Sequence, residues 1–413
     1  MRPLRRRILL GAGLAGLGAT VAGAAETRPG ERAAEPLPVG ALFPFSGPLS
    51  LLGDESFRGL DLAADERNQA GGLLGRRIVL RRGDAGGEPA GTAEAKQLLA
   101  AEHVTAMFGT FSSTACLAAS AVTEAAGVPY FELDALGDSI MDRGFHLLFR
   151  SGVAGGACGM LAVDTAADLL APRWQIPVRG LRLVLLHQDG PAGTSIATAA
   201  QAHATERGFT QVENIVYTAG TLDFAPIVRR LRGSGAEVVL HSGLQTDVLL
   251  FHRAMQQAGW RPRMVIGTGG GYALTDTAQA LGAAFEGVMS VGVPPYRVSE
   301  VVAPGAAQLA ATYQRKYGAP PRSGHSLACF AGARAFFDAI ARAGTLDRER
   351  LRAAVLATDI PDGASIGGSG VQFDARGQNR RARPFLAQWQ HGTLVTIGPT
   401  IAAVAPAAVT LGG

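Results

Sequence analysis

The feature that most constrains this chain is an alternation that runs twice. From Leu37 onward, short runs of apolar, β-branched and aromatic residues alternate with helical stretches. In the first series Val39–Phe43, Arg77–Arg81, Val104–Phe108, Pro129–Glu132 and His146–Arg150 read as strands. The helices between them are Asp54–Ala70, where Phe57, Leu60 and Ala64 fall three or four apart, Pro89–Ala101 and Thr114–Ala126. Glycines 71, 72 and 75 break the first helix before the second strand. In the second series the strands are Leu181–His187, Gln211–Tyr217, Val238–His241, Met264–Ile266 and Glu286–Val291. Its helices are Thr194–Arg207, Phe224–Arg232 and Thr246–Ala258. A tail adds helices at Ala306–Tyr317, Leu327–Ala343 and Arg348–Ala357 and a strand region at Phe385–Ile397. Strands joined by helices lie parallel, because a right-handed helical crossover returns the chain to the same end of the sheet. The prediction is an α/β protein of two Rossmann-like lobes, each with its own parallel sheet. With 47% hydrophobic residues over 413 positions, the chain has ample apolar surface for two such cores, and global disorder is excluded.

The first residues read as an address. Arg5-Arg6-Arg7 precedes Ile8-Leu9-Leu10 and a Gly/Ala/Leu run that ends at Ala22-Gly23-Ala24-Ala25. A charged start, an apolar middle and a small-residue end make residues 1–25 a secretory signal, with a linker at 26–37. Arg5-Arg6 ahead of Ile8-Leu9 also resembles a twin-arginine signal. No cysteine lies near the cleavage region, so the expectation is an exported, soluble periplasmic protein without a lipid anchor. Arg2, Arg5, Arg6 and Arg7 account for the formal charge of +4, and the body without them is near neutral. That balance argues against nucleic-acid binding. Gly11-Ala-Gly13-Leu-Ala-Gly16 matches a dinucleotide fingerprint, but the stretch that should hold its acidic strand, TRPGERAAEPLP, is proline-broken and charged. Cys116, Cys158 and Cys329 are odd in number, widely spaced and without metal-ligand spacing. They read as small buried residues, with one disulfide left open. No metal or cofactor is expected.

In open parallel sheets, ligands sit beyond the carboxyl ends of the strands, at the switch point. Two facing lobes bring two sets of such loops together. Those loops are Ser46–Leu52, Phe111–Thr114 and Asp134–Leu136 from the first lobe, with Gln188–Gly193, Leu244–Gln245 and Thr268–Tyr272, which includes Gly269 and Gly270, from the second.

An ordered set of short motifs carries a resemblance. Phe45-Ser-Gly-Pro48, Gly53, Gly59, Asn68, Gly71-Gly72, Gly75, Gly109-Thr-Phe-Ser-Ser-Thr114 and Asp223-Phe224 appear first. Gly243, Gly259, Gly267-Thr-Gly-Gly-Gly271, Tyr317-Gly318 and Phe373-Asp374-x-x-Gly377-Gln-Asn379 follow. The set resembles the periplasmic substrate-binding proteins of ABC importers, of the branched-chain amino-acid and amide type, from about Val39 to Pro399. The resemblance implies the type I periplasmic binding protein fold, in which two lobes are joined by three hinge strands and close on a ligand. It places crossings near Ser151, near Pro294 and after Asp374. Lobe one then holds 38–151 plus 294–374, and lobe two holds 152–293 plus 375–405. The implied partners are a small-molecule ligand and an ABC permease, with the protein itself a monomer or weak dimer.

Ser112 and Ser113 stand where a strand loop meets a helix start, a place that favours an anion. By resemblance this loop holds the ligand carboxylate, while the alternative is a serine that only caps its own helix. Ala135 and Leu136 are expected to offer backbone groups, and Leu52 and Phe111 an apolar wall. Where the resembling proteins place a glutamate for the ligand ammonium, this chain has Gly269; where they place tyrosines, it has Ala192 and Leu244. Loss of one partner of a buried charge pair costs about 2–5 kcal/mol. The expected ligand is therefore a carboxylate with an apolar or aromatic body, or an amino-acid-like compound. Asp134 reads either as an ammonium partner or as a solvated carboxylate. Tyr272, Gln245 and His325 read as polar contacts or as rim and surface groups, and Arg150 as a structural residue paired with a carboxylate. Two rival functions remain at this level: a ligand sensor of the same fold, and a serine hydrolase. The second rests on Gly324-His-Ser326-Leu-Ala328, which lacks the apolar strand that a nucleophile elbow requires.

Overall fold

A computed structural model describes residues 35–86 and 88–411. The segment read as an export signal lies outside the described residues. The first sheet contains β1 (Leu37–Phe43), β2 (Ile78–Asp84), β3 (Met107–Gly109), β4 (Tyr130–Glu132) and β5 (Leu148–Arg150). Their spatial order is β2-β1-β3-β4-β5 and every pair is parallel. β1 is buried along nearly its whole length, as a parallel strand covered on both faces must be. The crossovers are α1 (Ser50–Gln69), α2 (Glu88–Ala100) and α3 (Ser113–Ala126). α3 starts on the Ser112 side chain, which accepts from Ala115 N at 3.3 Å, and stops at Gly127, whose φ of 68° suits glycine.

A long helical stretch opens the second lobe: α4 (Gly155–Asp164), a π-helical turn (Thr165–Leu170) and α5 (Ala171–Trp174). No helix was expected there. The segment GGACGMLAVD is small and apolar on every side, so it carries no polar stripe to betray a helical period. Its glycines serve packing instead. A Cβ on Gly159 would lie 2.2 Å from the Ile196 carbonyl oxygen, so only glycine lets α4 press this closely on α6. The lobe continues through β6 (Arg182–Gln188), α6 (Pro191–Glu206), β7 (Gln211–Tyr217), α7 (Ala225–Ser234), β8 (Val238–Ser242), α8 (Gln245–Gln257), β9 (Met264–Thr268), α9 (Thr275–Leu281) and β10 (Met289–Gly292). The chain then returns to the first lobe with α10 (Ala306–Tyr317), α11 (His325–Ala343) and α12 (Arg348–Leu356). Phe336 and Phe337 of α11 pack against Phe108 and Phe131 of the first sheet. A short ribbon, β11 (Asp359–Ile360) with β12 (Val371–Gln372), precedes β13 (Phe385–Gln390) and β14 (Thr393–Gly398).

The second sheet has the order β14-β13-β10-β9-β8-β6-β7. The strand region expected at the tail is thus a hairpin: β13 pairs antiparallel with β10, and β14 antiparallel with β13. His391 and Gly392, at φ of 52° and 71°, make the two-residue turn that matches strand twist.

The chain crosses between lobes three times, after β5, after β10 and after β12. The first and third crossings are stitched together. Arg150 N donates to Gly377 O at 2.8 Å, and Asn379 N donates to Arg150 O at 2.9 Å. The Arg150 side chain is almost wholly buried. It donates to Gln378 Oε1 at 2.6 Å, Gly137 O at 2.7 Å and Ala135 O at 3.2 Å. Its hydrogen-bond partners are an amide and carbonyls rather than the expected carboxylate. Burial holds its pKa below the ordinary arginine value, with Asp138 the foremost opposing charge. The motif Gly377-Gln378-Asn379 therefore has a local job, since Gln378 and Asn379 also reach Gly152 O and Ser151 O, each at 3.1 Å. All three cysteines are buried and free.

Gly267 on β9 faces the Tyr272 ring so closely that a Cβ would come within 2.0 Å of it. Gly267→Ala is expected to lower stability by about 1–3 kcal/mol through overpacking, read as a reduced urea midpoint. An unchanged midpoint would contradict this packing.

Candidate ligand-binding cleft

Loops at the carboxyl ends of both sheets enclose a cavity of about 300 Å³. The order of each sheet explains the location. The first sheet reverses between β1 and β3 and the second between β6 and β8, and loops after those strands open a crevice. From the first lobe, Leu49, Gly86, Phe111, Ser112, Ser113, Thr114, Asp134, Leu136 and His325 line the cavity. From the second come Gln188, Asp189, Gly190, Pro191, Ala192, Gly193, Ala219, Ser242, Gly243, Leu244, Gly269 and Gly270. The walls approach closely at Gly270, where a Cβ would lie 2.6 Å from Leu52 and 2.9 Å from Phe111.

One buried carboxylate organises the first-lobe half. Glu132, at the end of β4, is fully buried. It accepts from Thr110 N at 2.7 Å and Thr110 Oγ1 at 2.9 Å. It also accepts from the backbone N–H groups of Leu133 at 3.1 Å, Asp134 at 2.9 Å and Ala135 at 2.8 Å. The loop after β3 and the loop after β4 thus share one acceptor. Phe111, beside Thr110, has φ of 74°, a conformation that strains a bulky residue and persists only when its surroundings hold it.

Asp134 and His325 form a pair across 191 positions of sequence. His325 Nδ1 lies 2.9 Å from both Asp134 oxygens, and Ser56 Oγ donates to Asp134 Oδ2 at 2.6 Å. Burial disfavours a charge on His325, but the Asp134 carboxylate outweighs it and raises the imidazole pKa above its ordinary value, with Glu55 adding to the effect. With Nδ1 committed to Asp134, the opposite ring nitrogen, Nε2, is buried and has no partner. Phe111 meets this ring edge-on at 5.4 Å. Asp134 is therefore neither a free ammonium partner nor a solvated carboxylate. The residues it serves are Ser56 and His325.

Ser112 caps α3 and also lines the cavity. Ser113 Oγ accepts from Gly137 N at 3.0 Å, which leaves its hydroxyl hydrogen free to point elsewhere. In the second lobe, the loop after β8 rests on a buried relay. Tyr217 OH donates to Ser242 O at 3.2 Å and lies 3.0 Å from His241 Nε2. His241 Nδ1 lies 2.6 Å from Tyr272 OH. Burial holds the His241 pKa well below the ordinary range, helped by His252 and His187. A neutral imidazole that donates from Nε2 to Tyr217 and accepts at Nδ1 from Tyr272 satisfies every group. Tyr272 is fully buried in this relay and does not reach the cavity.

Four further expected residues sit elsewhere. Ala135 is fully buried, its N–H given to Glu132 and its carbonyl to Arg150, so it has no backbone group to offer. Leu52 is buried in α1 and comes close to Gly270 of the second lobe. Ser46 is exposed and its N–H reaches Asp84 Oδ1 at 3.3 Å, outside the cavity. Gln245 begins α8 without lining the cavity. Ser326, of the hydrolase-like tetrad, is buried in the first turn of α11 with its hydroxyl on Glu55.

Sequence reasoning missed Gly86, Ala219, Ser242, Gly243 and the supporting Glu132 and Ser56. Glu132 left a signal, an acid inside the apolar run VPYFELDAL. A strand buried on both faces tolerates a carboxylate only where donors surround it.

The description "periplasmic binding protein" belongs to the family model that matches residues 36–393. A Brucella abortus protein described as Leu/Ile/Val-binding protein homolog 8 is 40% identical over 367 residues, covering 89% of this chain and 91% of its own length. Solved structures share the fold at lower identity. A leucine-binding protein from Thermotoga maritima superposes with a TM-score of 0.77 at 19% identity, covering 88% of this chain and 98% of that one. A solute-binding protein of an ABC transporter from R. palustris, in complex with benzoate, superposes with a TM-score of 0.73 at 21% identity, covering 90% and 98%.

Glu132→Gln would set an amide NH₂ against donors that now all find an acceptor. A loss of about 1–3 kcal/mol per donor left unpaired is expected in chemical denaturation. A variant as stable as the parent would contradict the organising role of this carboxylate.

Proposed function

This chain belongs to the periplasmic binding protein family, and on that premise we propose that it captures a small organic carboxylate between its lobes outside the cytosol and delivers it to an ABC importer permease. The observation that carries the ligand class is His325 Nε2, a buried donor without a partner on an imidazole whose cationic form Asp134 supports. A carboxylate supplies both the acceptor and the negative charge that this nitrogen lacks. Ser113 and the start of α3 stand beside it in the same cavity and favour the same charge.

The rest of the lining suits an apolar or aromatic body. Leu49, Phe111, Leu136, Ala192, Ala219 and Leu244 surround the space, and Gly269 adds no side chain. A ligand ammonium would find no buried carboxylate at its service. Asp134 is bonded to Ser56 and His325, and Asp189 is exposed. The fold itself is neutral on this point, since similar structures hold leucine, isoleucine, benzoate or 4-hydroxybenzoate. Among the described residues no helix is long and apolar enough to cross a membrane.

Calorimetry on the processed protein tests the reading. Aliphatic or aromatic monocarboxylic acids should bind well, and leucine and valine at least tenfold more weakly. His325→Gln removes the charge-assisted bond, worth about 1.5–3 kcal/mol, and should weaken binding roughly 10- to 150-fold. Tight binding of leucine or valine with none of the acids would overturn the proposal.

The pH dependence has a defined sign. The folded protein holds the His325 proton above the ordinary histidine value. Anion binding favours the charged form, so while the ligand stays ionised affinity is highest on the acid side of that raised value and falls as pH climbs through it. Affinity that rises with pH over this range would contradict a cationic His325 as the anchor.

A further inference from the structure

The turn that carries His325 has an attachment the cleft itself does not require. The turn joins α10 to α11 on the first lobe, yet Thr275 N, at the start of α9 on the second lobe, donates to the Arg322 carbonyl at 2.9 Å. The Arg322 guanidinium pairs with Asp276. Neither Arg322 nor Asp276 lines the cavity. The second oxygen of Asp276, Oδ2, is buried and has no partner, so this carboxylate relies on Arg322.

On its own side the same turn is pinned twice. The Glu55 carboxyl accepts from Ser323 N at 3.4 Å and from the Ser326 hydroxyl. Gly324 presses on the second crossing, where a Cβ would come within 2.0 Å of the Pro294 carbonyl oxygen. Residues 322–326 therefore meet the far lobe, the hinge, the first-lobe core and the cavity within a single turn.

We infer that Asp276 is a positioning residue that acts through Arg322. It fastens the His325 turn as the lobes meet and makes closure and presentation of the imidazole one event. This inference takes the role of His325 from the function proposed above, but the fastening itself is independent of which ligand binds. A half-exposed ion pair contributes little to fold stability. Its effect belongs in the ratio of closed to open molecules, because the pair and the Thr275 bond both span the lobes.

Small-angle scattering on ligand-stripped full-length protein tests it without a ligand. Asp276→Ala should increase the radius of gyration, Asp276→Glu should recover the compact value, and the unfolding midpoint should stay near that of the parent. The His325 imidazole resonances should shift in D276A and return in D276E. If D276A fails to fold, Arg322→Met provides the same break from the other lobe. Equal scattering and equal His325 resonances in the parent and in D276A or R322M would overturn the inference. Failure of the acid-binding measurements alone would sink the ligand assignment and leave this result standing.

Discussion

Glu132 is the point on which the cleft is hung. A carboxylate at the end of a fully buried strand is costly unless donors surround it. Here the donors are the backbone of the two loops that build the first-lobe wall. One acceptor thus forces two loops, separated by a helix and a strand, into a fixed relation. Phe111 is held in a backbone conformation a bulky residue would otherwise avoid, and its ring is set against His325. The bonds that organise this side of the cleft are internal and charge-assisted.

The next layer adds electrostatic direction. Asp134 is placed by the Glu132 loop, and it holds the His325 ring so that one nitrogen is satisfied and the other is buried without a partner. The second lobe has a different character. Its relay of Tyr217, His241 and Tyr272 is neutral and buried, and the cavity loops it supports present Ser242, Gly243, Leu244, Gly269 and Gly270. Under the function proposed, the charge that recognises a guest lies on one lobe and the space that accommodates its body on the other.

Much of this was legible in the sequence, for identifiable reasons. Strand ends were readable because parallel strands are continuous apolar runs, and they placed the cavity loops before any side chain was considered. Ala192, Leu244, Gly269, Gly270 and His325 come together there. What stayed hidden were relations between distant residues. The aspartate at 134 and the histidine at 325 each had an isolated reading, and only the fold makes them a pair. Tyr272 looked like a ligand contact because its loop reaches the cleft, yet its ring turns inward beneath Gly267. Arg150 looked like half of an ion pair, but its fork is filled by carbonyls and an amide at the hinge. The α4 helix escaped because tight glycine packing removes the polar face on which periodicity depends.

The most direct test is a crystal structure of the protein grown with a monocarboxylic acid. A carboxylate oxygen is expected about 3 Å from His325 Nε2, with the apolar body directed toward Ala192 and Leu244. A guest whose amino group sits on Asp134, with His325 turned away, would contradict it.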